Sequence, residues 1–113
     1  MQVQKIIYIV EAPHSYAKVT ITPNTTTYEH RDMLNEQEGT ETKATKNFEE
    51  IAKSLGTFEN KKIENNVPKD ASTKKLYIYT AQKDFSFKWQ GDAFEAFVRT
   101  LEKTTGPILE IGQ

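Results

Sequence analysis

Residues 3–11, VQKIIYIVE, carry apolar side chains on both sides of a would-be strand: Val3, Ile7 and Ile9 on one, Ile6, Tyr8 and Val10 on the other. β-Branched and aromatic residues at this density favour extended backbone. A strand with no polar face belongs in the middle of a sheet, so the rest of the chain has to supply its neighbours and a covering layer.

The neighbours are marked by turn chemistry. Ala12-Pro13-His14-Ser15-Tyr16 interrupts the first strand, because Pro13 cannot donate to a ladder, and AKVTIT (17–22) resumes in strict alternation, which predicts a hairpin. Pro23-Asn24 turns the chain again, and TTTYEHR (25–31) reads as a third, more exposed strand. A second hairpin is expected from KLYIYT (75–80) and DFSFKWQ (84–90), joined by Ala81-Gln82-Lys83.

Two stretches change period. Phe48, Ile51, Ala52 and Leu55 fall at i, i+3, i+4 and i+7, with Asn47 and Glu50 spaced as a capping box, Gly56 as the stop and Phe58 positioned to seal the end against the sheet. Phe94, Phe97, Val98 and Leu101 repeat that stripe, with Asp92 and Glu95 as the box and Gly106-Pro107 as the end. The tail ILEIGQ either docks as an edge strand or covers the sheet. The expected fold is a single α+β domain over residues 1–113. One antiparallel sheet of about five strands packs on two helices in the order β-β-β-α-β-β-α.

Two segments lack the apolar side chains that offset ordering entropy. Residues 34–46 read as a mobile loop or as an extension of the third strand, and residues 59–74 as a mobile connection.

Phe85, Phe87 and Trp89 alternate, as stacking platforms for single-stranded nucleic acid do. The following helix needs a surface to cover, however, so core is the better reading. On that reading Tyr77 and Tyr79 share a partly exposed face with Ser86 and Lys88, and tyrosines are enriched at interfaces.

The remaining composition excludes more than it assigns. Fifteen Lys and Arg against sixteen Asp and Glu leave no basic excess for phosphates, so nucleic acid is not an expected partner. Absent cysteine removes disulfides and thiolate chemistry but leaves the compartment open. The apolar run from Ile6 to Val10 is too short for a signal core or a membrane span, so the chain as given is expected to be soluble. His14 beside Ser15, and His30 two residues before Asp32, make neither a catalytic set nor a complete metal site, and the five glycines are too scattered for a phosphate loop. No enzymatic activity, cofactor or metal is expected.

The element order resembles the emfourin-like proteins, small bacterial inhibitors of thermolysin-type metallopeptidases. The points of similarity are KIIYIVE leading into a hairpin, NFEEIAKSLGTF, and FSFKW leading into DAFEAFVRTL. Where that family's first turn is rich in glycine around an aromatic, this chain has APHSYA, with Tyr16 as the counterpart. The resemblance implies a noncatalytic protein-binding module whose partner is a metallopeptidase. The residues expected to meet a partner are Pro13, His14, Ser15 and Tyr16 in the first turn, with Tyr77 and Tyr79 as a second patch. The alternative is a small-ligand or single-stranded nucleic-acid binder using an aromatic sheet face.

Overall fold

The computed structural model describes residues 2–58, 73–89 and 93–105. Its elements run β1 (Val3–Ala12), β2 (Ser15–Ile21), β3 (Thr25–Asp32), β4 (Gln37–Ala44), α1 (Phe48–Ser54), β5 (Thr73–Thr80), β6 (Asp84–Trp89) and α2 (Glu95–Thr105). All the described strands join one antiparallel sheet in the order β4-β3-β2-β1-β5-β6. The two-sided strand β1 lies inside it, paired with β2 on one edge and β5 on the other. The fold is α+β, as the sequence predicts.

One face is core. Ile6, Tyr8 and Val10 of β1, Val19 and Ile21 of β2, Leu76 and Ile78 of β5 and Trp89 of β6 are buried, as are Ile51 of α1, Leu55 at its C-cap, and Phe97 and Leu101 of α2. The Tyr8 ring meets Phe97 edge-on at 5.7 Å, and Phe94 lies 5.1 Å from both Phe87 and Trp89, so α2 sits over β1 and β6. Phe58 is buried against Phe85 at 5.0 Å and closes the α1 end as the sequence suggests. Phe85, Phe87 and Trp89 all point toward the helices; Trp89 is fully buried and the other two are half-buried because β6 is an edge. They form packing surface for Phe58 and Phe94.

Three expectations need correction or fall elsewhere. Residues 37–44, read as part of either a mobile loop or an extension of the third strand, form a strand of their own, β4, which pairs with β3 from Asp32↔Gln37 to Thr25↔Ala44. Backbone hydrogen bonding to a preformed neighbour suffices there, since an edge strand facing water on both sides needs no apolar periodicity. The capping box at α1 is also absent. Asn47 is left-handed (φ 61°) and makes no side-chain cap, whereas a capping side chain reaches the first-turn N–H groups from an extended backbone. The Asp92 box, the Gly106-Pro107 stop, the tail, and residues 59–72 lie outside the described residues; Thr73 and Lys74 open β5. Gly56 does end α1, with φ 69° and its N–H on the Lys53 carbonyl at 3.1 Å.

The core contains an unpaid polar group. The Tyr8 hydroxyl is buried with no hydrogen-bond partner among the described residues, and burial, with Glu102 nearby, pushes its ionisation well above the usual tyrosine range. A buried hydroxyl without a partner carries a desolvation cost of about 1–3 kcal/mol. Tyr8→Phe is therefore expected to leave stability in chemical denaturation unchanged or raise it by up to ~1 kcal/mol. A clear loss would mean that the hydroxyl is satisfied in solution.

Candidate functional site

Two hairpin tips meet at one end of the sheet. The β1–β2 turn consists of Pro13 and His14, closed by the Ala12↔Ser15 pair, and both residues are exposed. The β3–β4 turn spans residues 33–36, and its Met33 N–H donates to the His14 carbonyl at 2.9 Å. That bond fixes one tip against the other.

The second tip is shaped by Asp32. Its Oδ1 accepts the backbone N–H groups of Leu34 (3.1 Å) and Asn35 (3.3 Å), and its Oδ2 accepts the Asn35 amide at 2.7 Å. Glu36 then takes a left-handed conformation (φ 50°) to return the chain into β4. With the backbone turned this way, Met33 and Leu34 remain 51% and 71% exposed, the large apolar side chains most open to water among the described residues. Pro13, His14, Met33 and Leu34 thus form one projecting, mostly apolar end.

The Asp32 bonds carry a pH consequence. Hydrogen bonds from Asn35 hold the carboxyl below the usual aspartate range, so the charged form favours the turn. That support is complete above the unfolded aspartate's ionisation and is lost as pH falls through the lower, folded value. In an NMR titration the Asp32 carboxyl and the Leu34 and Asn35 amides are expected to share one midpoint, below that of an unrestrained aspartate. A midpoint at or above the ordinary value would contradict the turn.

The expected contact residues divide between places. Pro13 and His14 are at the tip, and Ser15 is half-buried in the pair with Asp32. Tyr16 lies on the sheet face away from the helices, between Glu11 and Arg31, in a cleft of about 410 Å³ that Glu29, Glu38 and Thr40 also line. Burial first, then Glu29 and Glu11, raise its ionisation. Arg31 Nε reaches Glu38 at 3.4 Å, but both side chains are well exposed, so the pair contributes little.

Tyr77 and Tyr79 are half-buried on the same outer face, Tyr77 between Ile7 and Ser86, Tyr79 between Lys5 and Asp84. The Lys5 ammonium stands 5.4 Å from the Tyr79 ring centre. Tyr16 pairs with Glu11, and Tyr77 with Ile7, four residues back along β1. The first turn and the tyrosine patch are therefore two surfaces.

His30 faces the other way. Its ring stacks on Tyr28 at 5.4 Å and covers Gly39, and its buried Nδ1 has no hydrogen-bond partner among the described residues. Among the described residues no group of three His, Cys, Asp or Glu side chains is placed to hold a metal ion, and no described helix is long and apolar enough to cross a membrane.

Sequence reasoning missed Met33 and Leu34. The signal was Asp32-Met33-Leu34-Asn35, two apolar residues between turn-forming neighbours, where a side chain has nothing to pack on. No protein-family model matches this chain, and no curated protein matches it.

Proposed function

We propose that this chain is a noncatalytic protein-binding module that engages its partner through the joined hairpin tips. The observation that carries this reading is the exposure of Met33 and Leu34 on a turn locked to His14. Large apolar side chains held out on an ordered backbone cost water contact and offer a partner surface at little further loss of entropy. Pro13 adds rigidity on the neighbouring turn. The resemblance in element order to the emfourin-like inhibitors directs the partner search to thermolysin-type metallopeptidases, with the tips as the inserting element.

The test titrates the full chain into a thermolysin-type metallopeptidase, reading both complex formation by calorimetry and hydrolysis of a peptide substrate. Binding with inhibition is expected, and Leu34→Asp is expected to weaken it by roughly tenfold or more, the scale of an interface anchor. Because Leu34 is exposed, its replacement should leave the melting temperature nearly unchanged. Absence of binding would remove the peptidase assignment; a complex indifferent to Leu34→Asp would remove the tips as the interface.

A further inference from the structure

The outer sheet face carries a charge pattern that packing among the described residues does not explain. Lys18 of β2, Ile9 of β1, Lys75 of β5 and Lys88 of β6 form one cross-strand row, and Ile7 and Tyr77 are paired in a neighbouring row. Lys75 and Lys88 stand directly opposite each other, an arrangement that costs energy when both are charged. Lys75 is compensated by the Glu11 carboxylate, which accepts its ammonium at 3.0 Å. Lys18 and Lys88 have no ion-pair partner among the described residues, although Glu29 is the register neighbour of Lys18. Ile9 lies between Lys18 and Lys75 in that row, with Ile7 and Tyr77 in the next one; all three stay half-exposed, and both described helices pack on the other face. An antiparallel sheet can leave such a face to water, which keeps these apolar side chains open to a partner.

The geometry points to a docking site for an extended acidic segment of another protein, in which apolar and carboxylate side chains alternate. Its apolar residues cover Ile7, Ile9 and Tyr77, and its carboxylates reach Lys18 and Lys88 on their flexible stems. Lys18 on β2 and Lys88 on β6 are separated by three strand spacings of about 4.8 Å each, a distance one extended segment can span. A continuous phosphate backbone fits less well. Glu11, Glu29 and Asp84 border the lysines on the same face and would repel it, and a net charge of -1 provides no long-range attraction for a polyanion. Spaced carboxylates can meet the lysines and avoid the acids. This site is independent of the hairpin tips and stands or falls without them.

The experiment uses the full, methyl-labelled chain. A short peptide alternating leucine and glutamate, its leucine–lysine counterpart and an oligothymidylate are titrated separately, with NMR shifts as the readout. The acidic peptide is expected to move the Ile7 and Ile9 methyls and the Tyr77 ring, and to bind more weakly as salt rises from about 0.05 M to about 0.5 M. Lys18→Gln with Lys88→Gln is expected to weaken binding by roughly tenfold, with an unchanged melting temperature, and the two Lys→Arg replacements should restore it. No shift at these residues would overturn the proposal. Equal binding of the leucine–lysine peptide would reduce the face to an apolar patch, and tighter binding of the oligothymidylate would reassign it to nucleic acid; either result also overturns it.

Discussion

Phe97→Ala is expected to destabilise the fold by about 3–5 kcal/mol, measured by urea denaturation. The Phe97 ring is fully buried on α2 and meets Tyr8 edge-on, so truncation opens a cavity between the helix layer and the central strand. Phe87→Ala is expected to cost less than Phe97→Ala, because Phe87 belongs to the edge strand and is only half-buried against Phe94. The contrast is the test. Equal losses would mean that α2 does not sit over β1, and losses below about 1 kcal/mol in both would contradict the packed layer altogether.

The second large effect concerns Gly39. A Cβ built there would lie 2.6 Å from His30 Cε1, closer than real atoms approach. Gly39 pairs directly with His30 across β3 and β4, and the imidazole is held on the Tyr28 ring. Gly39→Ala is therefore expected to destabilise by about 1–3 kcal/mol, as overpacking does. In a His30→Ala background the same change should cost nothing, or stabilise slightly through the lower entropy of the unfolded chain. A double-mutant cycle by thermal denaturation measures the coupling, and a value near zero would show that the ring does not cover the glycine.

The parts of this fold that were legible in the sequence are those where burial imposes a period. Ile6, Tyr8 and Val10 had to share a face, and so did Leu76 and Ile78, because residues two apart in a strand point the same way. Phe97 and Leu101 announced the buried stripe of α2 in the same manner, at helical spacing. β4 was legible only as one of two alternatives, loop or strand, since Glu38, Thr40, Glu41 and Lys43 are all exposed and no hydrophobic demand distinguishes one side from the other. The capping box misled for a local reason: Ser, Thr, Asn and Asp stand at N-caps, but Asn also tolerates left-handed backbone, and at Asn47 that second property prevailed.

The candidate site was half legible. Pro13 and His14 followed from turn chemistry, but their junction with Met33 depends on β3 lying beside β2 and on β4 existing at all. Tyr77 and Tyr79 were placed on the correct face by alternation alone. Their separation from Tyr16 required the register of three strands, information that no single segment contains.

The seam between β1 and β5 has a consequence for how the chain is made. Every other strand pair joins consecutive strands, whereas this one brings Ile6 to Ile78 across α1 and the connection after it. Synthesis proceeds from the N-terminus, so β1 to β4 and α1 can emerge while one edge of β1 still has no neighbour. Until β5 leaves the ribosome, that edge offers free N–H and C=O groups beside the apolar residues Ile6, Tyr8 and Val10, the kind of surface that recruits other nascent chains. Closing the seam is a nonlocal step with a loop-closure cost that local hairpins avoid. The half-made protein is therefore open to aggregation at a strand that ends up paired on both edges in the finished one.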